Sequence, residues 1–305
     1  MSDSKLHELA SPILLKGNDR IGYRDPTAVY DEGVFHLFFT LVETEEDGQI
    51  YMYTACSRSS DLLHWSAPQK LTSRDQHLNY SSPGNVVRFG GRWVMCLQTY
   101  PRENGEQYGN ANSRIWTMES DDLIHWDSPK LLQVKGTDVP LEAMGRMIDP
   151  YLIESEEEPG LWYCFYKQNG VSLSYSRDLK HWTYAGHRDA GENVCILRHA
   201  DSYWMFHSPE NGIGILQSED LVTWREREER FTFDQKQWTW AKGRLTAGFV
   251  LDACHSEVAG KYLMFFHGTG PEPEPLVFDT HACIGIAWSD DLLSWDWPQC
   301  EVNRM

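Results

Sequence analysis

Short runs of aromatic and aliphatic residues, each opened by a turn residue, recur along the whole chain. They follow Gly33, Gly91, Gly160, Asp201 and Gly260. Runs of about seven residues are too short for a typical helix, and these are rich in the aromatic and β-branched residues that favour strands. No stretch has the long periodicity of a helical domain. The pattern therefore predicts short strands joined by tight turns.

A second pattern, Asp-Leu followed by two residues and then Trp, is written five times. The copies begin at Asp61, Asp122, Asp178, Asp220 and Asp291. Their spacing is close to the roughly 40–50 residues of one propeller blade plus loops. Each Asp is expected to bind backbone N–H groups of the following turn, while Leu and Trp fill space between blades. The repeat predicts an all-β fold, a five-bladed β-propeller with four-stranded antiparallel blades around a central channel.

The repeats favour one domain over two. Residues 1–22 are expected to form an irregular lead-in, and residues 23–305 a single propeller. Three segments lie outside the repeated elements, 102–113, 134–146 and 225–247. We expect these to be loops or extra strands that decorate a face of the propeller.

Composition narrows the partners and the compartment. The formal net charge of -18 would repel nucleic acid and anionic membrane surfaces. The chain shows no apolar span of membrane-crossing length and no secretory pattern in its first residues, so a cytoplasmic location is expected. Its seven cysteines are widely spaced in strand-like runs, which suits buried reduced thiols. The oligomeric state stays open.

Candidate chemistry lies where the first strand of each blade faces the channel. Asp25 opens blade one, Asp149 blade three and Glu192 blade four, and the three carboxylates are expected at equivalent places. Carboxylates that converge in a confined cleft acquire different pKa values, which suits acid and base work. For each residue taken singly, the alternative is a turn-opening carboxylate that only caps local N–H groups.

These blade openings carry a family resemblance. The motifs that carry it are Asp25-Pro26, Ile148-Asp149-Pro150, Glu192 at the start of blade four, His255-Ser256, and Phe266-His267-Gly268. Together they resemble the five-bladed glycoside hydrolases of family 43 and their relatives in family 32, over about residues 20–296. Blades two and four depart from the usual Trp-Ala-Pro and Glu-Gly-Pro motifs of family 43, so the resemblance is to the wider propeller group.

The resemblance implies a glycoside hydrolase with Asp25 as general base, Glu192 as general acid, and Asp149 as the carboxylate that orients the acid and raises its pKa. It implies an inverting, exo-acting furanosidase or pentosidase, similar to arabinofuranosidases or xylosidases, that acts on small oligosaccharides. Inversion would place the two carboxyls roughly 6.5–9.5 Å apart, and retention about 5–5.5 Å. No cofactor is required, although family analogy allows a calcium ion in the channel near His255.

Further residues are candidate substrate-binding groups. They are Arg24, Asn85, Arg146, His255, Trp238 and Trp240. The polar groups suit sugar hydroxyls and the Trp faces suit stacking on sugar rings. The inner strand of blade five is expected to begin at Asp252, which would place His255 in the channel. An ion-pair role for the arginines and a turn role for Asn85 are equally open.

Two rival functions remain open at this stage. One is a phosphorolytic or transferring relative on the same fold, in which Arg24, Arg146 and His255 line a phosphate site. The other is a non-catalytic carbohydrate-binding propeller. The presence of three carboxylates on different blades favours hydrolysis over both.

Overall fold

The apolar runs form the strands of five antiparallel sheets in a computed structural model, which describes residues 5–299. Four of the sheets have four strands paired in chain order, and the fifth has five strands. Each first strand contacts the first strand of the next sheet, including that of the fifth sheet with the first. This arrangement is a five-bladed β-propeller, which confirms the predicted fold.

The strands are named here in chain order. The first short strand and blade one comprise β1 (Ile13–Leu15), β2 (Ile21–Asp31), β3 (Val34–Thr44), β4 (Ile50–Ser59) and β5 (Gln69–Lys70). Blade two comprises β6 (Ser81–Phe89), β7 (Arg92–Gln98), β8 (Ile115–Ser120) and β9 (Lys130–Leu131). Blade three comprises β10 (Ile148–Glu154), β11 (Trp162–Lys167), β12 (Val171–Ser176) and β13 (Trp182–Arg188).

Blades four and five follow the same plan. Blade four comprises β14 (Glu192–His199), β15 (Ser202–Ser208), β16 (Ile213–Ser218) and β17 (Trp224–Phe231). Blade five comprises β18 (Arg244–Ala253), β19 (Lys261–Thr269), β20 (Cys283–Ser289) and β21 (Trp295–Asp296). The helical elements are short, namely α1 (Leu141–Met144) and the 3-10 turns Lys5–Glu8, Thr239–Ala241 and Glu274–Leu276. No helix within residues 5–299 is long and apolar enough to cross a bilayer.

The lead-in differs from the expected irregular segment, because it contains a strand that closes the ring. β1 pairs with β20, with Ile13 opposite Gly285 and Leu15 opposite Ile284. β21 pairs with the other end of β20. The outer edge of blade five is therefore shared by a strand that precedes blade one and by β21, the last strand in the described part of the chain. Backbone hydrogen bonds thus tie the two ends of the propeller together.

The repeated Asp-Leu-x-x-Trp phrase is a turn, as predicted. In the first copy, the Asp61 carboxylate accepts hydrogen bonds from the backbone N–H groups of Leu63 and His64, at 2.9 and 2.8 Å. Leu62 adopts a positive φ of 64° and is buried. The indole of Trp65 donates to the Leu62 carbonyl oxygen at 3.0 Å. The phrase thus turns the chain between the third and fourth strands of the blade.

The motif tryptophans also join neighbouring blades. Four of them lie edge-on against a phenylalanine in the second strand of the preceding blade, in the pairs Trp65–Phe265, Trp126–Phe38, Trp224–Phe165 and Trp295–Phe206. Edge-to-face aromatic pairs contribute about 0.5–1.5 kcal/mol beyond the burial of their area. The repeat therefore stabilises the ring at successive blade interfaces.

Every inner strand carries an irregularity close to its first residues. One non-glycine residue with positive φ marks this position in each blade: Asp25, Ser82, Asp149, Asn193 and Ala247. The strand register shifts beside each of them. Because an extra residue in one strand re-aims the side chains around it, the bulges turn polar groups toward one end of the channel.

The prediction that blade five begins at Asp252 is wrong. Its inner strand is β18, which starts at Arg244. The segment 225–247, expected to be loops or extra strands, supplies the outer strand of blade four and the first residues of β18. Since the first residues of β18 lack the carboxylate that marks blades one, three and four, the sequence offered no marker for its start.

The described cysteines fit the prediction of reduced thiols. Six are unpaired, and of these all but Cys254 are buried. Burial raises the pKa of the thiols of Cys56, Cys96 and Cys195 to about 12, which suits inert core residues. Cys300 lies outside the described residues.

Candidate active site

A cavity of about 690 Å³ lies at the end of the channel where the inner strands begin. Asp25, Asp149 and Glu192 all line it, so the structure brings the three predicted carboxylates together. They are not at equivalent positions, however. Asp25 and Asp149 occupy the positive-φ position of their bulges, whereas Glu192 comes one residue earlier, and Asn193 takes the equivalent place.

Asp25 is held by hydrogen bonds from three blades. The Thr40 hydroxyl donates to Oδ2 at 2.9 Å, and the side-chain amide of Asn193 lies 3.5 Å from Oδ1. The backbone N–H of Asp25 donates to Nδ1 of His267 at 3.0 Å. No Lys or Arg within residues 5–299 pairs with this carboxylate. It therefore keeps acceptor capacity for a water molecule, as a base requires.

Asp149 is the most deeply placed of the three carboxylates. Its Oδ1 accepts a hydrogen bond from the Ser82 hydroxyl at 2.8 Å, and its backbone N–H donates to Gln98 Oε1 at 2.7 Å. Burial, and then the negative charges of Glu192 and Asp25, raise the pKa of Asp149 to about 7. Converging carboxylates thus split their pKa values as expected, with the elevated value on Asp149.

Two cations stabilise the ionised form of Glu192. This result is contrary to the expectation that the pKa of Glu192 is raised. Burial favours the neutral form, but Lys167 and Arg244 outweigh it and lower the pKa of Glu192. Lys167 Nζ is ion-paired with Oε2, and Arg244 Nη2 donates to Oε1 at 2.7 Å. Both carboxylate oxygens therefore face a positive charge, which opposes the like-charge effect of Asp149.

A chain of ion pairs continues from Glu192 along the lining of the cavity. Arg244 Nη1 lies 2.7 Å from Glu274 Oε2, and Arg24 Nη2 lies 2.5 Å from Glu274 Oε1. Although burial favours its neutral form, Arg24, His267 and Arg244 lower the pKa of Glu274.

Arg24 is buried, and its guanidinium lies 4.3 Å from the ring centroid of Phe278. Of the two roles open for Arg24, the structure therefore favours the ion pair.

His267 is a buried cavity residue that sequence reasoning did not assign to the site. Because its Nδ1 accepts from the Asp25 N–H, its proton resides on Nε2, which lies 3.8 Å from Glu274 Oε1. Burial and the charge of Arg24 lower the pKa of His267. The aromatic-His-Gly motif was the signal for this residue. Lys167, Arg244 and Glu274 had no such signal, because nothing in their local sequence marks them.

Four predicted substrate-binding residues do not line the cavity. Asn85 is buried and bridges blades two and three, since its side chain pairs with the N–H and C=O of Leu152 at 2.8 and 2.7 Å. His255 is exposed in the turn after β18, at the opposite end of the channel. Trp238 and Trp240 stack on each other at 5.1 Å and pack against Phe266. These aromatic side chains belong to the core.

Arg146 does line the cavity, together with Tyr108, a loop aromatic. A group of three or more His, Cys, Asp or Glu side chains suited to a metal ion is absent from residues 5–299. His255 lies too far from the cavity to hold the calcium ion that the resemblance allows. That ion therefore stays a prediction without support from a ligand set.

Two loops form a wall on one side of the cavity. The loop after β7, in blade two, contacts the loop after β19, in blade five. Arg102 forms two hydrogen bonds with the carboxylate of Asp279, at 2.6 and 2.9 Å. The ring of Tyr108 lies edge-on to that of Phe278 at 4.9 Å. The Arg102–Asp279 pair is largely buried, whereas Tyr108 is exposed, and together these contacts close this side of the cavity.

Three carboxylates lie at one end of a five-bladed channel, and a match to a family of glycosyl hydrolases agrees with this arrangement. The profile of the glycosyl hydrolases family 32 N-terminal domain matches residues 23–197. The chain belongs to this family. It is a glycoside hydrolase with a propeller fold, and the match includes Asp25, Asp149 and Glu192. No curated protein sequence matches the chain.

Solved structures support the fold of this glycoside hydrolase. A thermostable family-43 glycoside hydrolase is 13% identical with a TM-score of 0.63, over 93% of this chain and 96% of the other. An exo-1,5-alpha-L-arabinanase from a bovine ruminal metagenomic library is 14% identical with a TM-score of 0.60, over 91% and 96%. An alpha-L-arabinofuranosidase from Lactobacillus brevis is 12% identical with a TM-score of 0.65, over 95% and 96%. At these identities the likeness concerns the fold.

Proposed function

We propose that the enzyme is an inverting, exo-acting furanosidase or pentosidase that removes single sugars from small oligosaccharides. The observation that carries this proposal is the convergence of Asp25, Asp149 and Glu192 in one cavity, with each carboxylate in a different electrostatic environment. Two of the structurally similar proteins act on arabinose-containing substrates by their names, which supports this substrate class.

Asp25 is the proposed general base. It lies in the cavity and pairs with no Lys or Arg of residues 5–299, and Thr40 and Asn193 orient its oxygens. An ionised carboxylate in this setting can accept a proton from water as the water attacks the anomeric carbon. The glycosidic bond then breaks with inversion at that carbon.

Glu192 is the proposed general acid, and Asp149 its neighbour that supplies a like charge. Lys167 and Arg244 keep Glu192 ionised in the structure. Protonation of Glu192 therefore requires that one of these contacts is weakened when substrate binds. Asp149, with a pKa of about 7, favours this change whenever it is ionised, because two adjacent carboxylates repel each other.

The wall formed by the loops that carry Arg102 and Asp279 supports exo action. A cavity that is closed on one side accepts the end of a chain more readily than its middle. The cavity volume of about 690 Å³ lies within the range of roughly 300–1,000 Å³ for small-molecule sites. Single-sugar release from labelled oligosaccharides, followed by chromatography, tests this part of the proposal.

The decisive experiment replaces Glu192 with Gln. A panel of nitrophenyl pentosides and galactofuranosides first identifies a substrate, and proton NMR of the first-formed anomer separates inversion from retention. Glu192→Gln should lower kcat on a natural oligosaccharide by about 10²–10⁴-fold, because a general acid contributes that much. Glu210→Gln is the matched control, since Glu210 is an exposed carboxylate that lines the same cavity. If both variants retain full activity, Glu192 is not the acid.

The phosphorolytic alternative loses two of the residues on which it depended. Arg24 forms an ion pair with Glu274, and His255 lies at the other end of the channel. Hydrolysis is therefore the reaction that the cavity supports best. Turnover measured with and without inorganic phosphate separates the two reactions.

A further inference from the structure

Among residues 5–299, one cation of the cavity has no carboxylate partner. The other Lys and Arg side chains that line the cavity are paired, Arg24 with Glu274, Lys167 with Glu192, and Arg244 with both. Arg146 lines the same cavity but forms no ion pair within residues 5–299. Its guanidinium makes a single hydrogen bond there, from Nε to the carbonyl oxygen of Gly109 at 3.1 Å. Both terminal nitrogens are left with their N–H groups for a ligand.

The surroundings hold this guanidinium in place before any ligand arrives. Its central carbon lies 5.5 Å from the centroid of the Tyr100 ring, a cation–π distance. The backbone oxygen of Arg146 accepts a hydrogen bond from Gln168 Nε2 at 2.9 Å. A positioned Arg loses little conformational freedom when it binds, so its planar fork is suited to a carboxylate or a phosphate.

We propose that Arg146 binds a negatively charged substituent, a carboxylate or a phosphate group, on the sugar that occupies the cavity. This inference rests on the proposed glycosidase function and names its substrate class more closely, as an anionic glycoside. A neutral sugar would use Arg146 only as a hydroxyl donor, which leaves its charge without a counter-ion in the complex. An anionic group would supply that counter-ion with two parallel hydrogen bonds.

The distribution of charge around the cavity indicates which blade the anionic substituent would face. Arg146 comes two residues before Ile148, which pairs with Lys167 across β10 and β11, so blade three presents two basic residues at the cavity. Glu210 is the exposed acid of the cavity, and it lies on the blade-four side, where its backbone oxygen accepts from Arg244 at 2.9 Å. The substituent would therefore point toward blade three. Repulsion by solvent-exposed acidic groups elsewhere on the surface is screened beyond about 8 Å at physiological ionic strength.

Binding of unreactive sugars to the full-length protein tests the proposal independently of catalysis. The probes are free hexuronates, hexose 6-phosphates and the corresponding neutral hexoses, each titrated by calorimetry at constant ionic strength. We expect at least one anionic sugar to bind about tenfold tighter or more than its neutral parent, with preference for carboxylate or phosphate identifying the substituent. Arg146→Met should reduce this ratio to about one, because a neutral sugar loses at most a hydroxyl contact whereas an anionic sugar loses its counter-ion.

Two further variants keep the test sharp. Arg146→Lys retains the charge without the fork and should preserve part of the ratio, which also covers the case in which Arg146→Met fails to fold. Arg88→Met is the matched control, because Arg88 is exposed near the opposite end of an inner strand and should leave the ratio unchanged. Equal affinity for charged and neutral sugars, or a ratio that survives Arg146→Met, overturns the proposal.

The catalytic assay separates this inference from the proposed function. Hydrolysis of neutral and anionic glycosides with the same kcat/KM, and with no change for either in Arg146→Met, would overturn the anion site and leave the glycosidase standing. A preference for anionic sugars in a protein that hydrolyses no glycoside would support the anion site and overturn the proposed glycosidase function. Cleavage that depends on added inorganic phosphate would show that Arg146 serves a phosphate co-substrate, which also overturns the proposal.

Discussion

Lys167 is ion-paired with Oε2 of Glu192, so the proposed acid is held ionised in the resting cavity. Arg244, on the other oxygen, is anchored by Glu274 and by the backbone oxygen of Glu210. The Lys167 side chain is 39% exposed and has a single carboxylate partner within residues 5–299. Lys167 is therefore the partner that can leave when substrate enters, and Oε2 the oxygen that can then accept a proton.

Replacing Lys167 with Met should move the pH dependence of hydrolysis upward. The ammonium group lowers the pKa of Glu192, so its removal raises that pKa. Loss of the proton from the general acid causes the alkaline limb of kcat/KM, and this limb should shift to higher pH. Lys261→Met, which removes an exposed ion pair with Asp290, is the control and should not move the limb. An unchanged limb in Lys167→Met would contradict the assignment of Glu192.

Asp149→Asn should remove a pH dependence of stability. The pKa of Asp149 is raised to about 7, above the value of about 3.9 in an unfolded chain. The folded state thus prefers the protonated carboxyl, and this contribution to stability is present below pH 4 and lost as pH rises through 7. Asn mimics the neutral form, so Asp149→Asn should gain stability relative to the natural protein between pH 5 and 8.

Melting temperatures of both proteins across this range measure the effect. Asp189→Asn, at an exposed aspartate, is the control and should show the same pH dependence as the natural protein. A difference between Asp149→Asn and the natural protein that stays constant from pH 5 to 8 would show that Asp149 titrates normally.

Asp61→Ala should destabilise the fold without affecting the active site. The substitution removes the acceptor for the N–H groups of Leu63 and His64 in the first motif turn. Loss of capping hydrogen bonds of this kind costs about 0.5–2 kcal/mol. Urea unfolding should show that loss, whereas kcat/KM at a temperature where both proteins are folded should agree within twofold. A large fall in kcat/KM would assign chemistry to the repeat.

Arg102→Met should weaken the wall of the cavity. The substitution leaves the carboxylate of Asp279 largely buried without a cation, which typically costs about 3–5 kcal/mol. We expect a lower melting temperature and a higher KM with a smaller change in kcat. The double variant Arg102→Met/Asp279→Leu removes both charges and should recover much of the stability, but not the KM. A KM that stays at the natural value in both variants would show that the wall does not contact substrate.

Much of the fold could be predicted because its signals are local. The phrase Asp-Leu-x-x-Trp specifies a turn from neighbouring residues alone, and its five copies number the blades. The start of blade five could not be predicted in this way. The residues around Arg244 carry no turn motif or carboxylate, so the inner strand was placed at Asp252 and His255 was wrongly brought to the channel.

In the candidate site too, residues marked by a local sequence motif could be predicted, whereas residues placed by contacts with distant parts of the chain could not. Asp25 and Asp149 could be matched because each precedes a proline at the same point of a bulged strand. Glu192 reaches the cavity from one residue earlier in its blade, an offset that depends on how β14 and β15 pair. The prediction that Asn85 binds substrate is wrong, because its side chain forms hydrogen bonds with the backbone of Leu152 in the next blade.

The sequence by itself determined the number of blades, the turns between their strands and the identity of the three carboxylates, since hydrophobic alternation and turn chemistry act over a few residues. Only the tertiary structure decided how those carboxylates are charged. Arg24 and Glu274 are 250 residues apart in the chain, yet they pair in the cavity, and Glu192 meets Arg244 from a distance of 52 residues. The pKa of a buried group depends on such neighbours and on burial, and both arise only when the ring of blades closes.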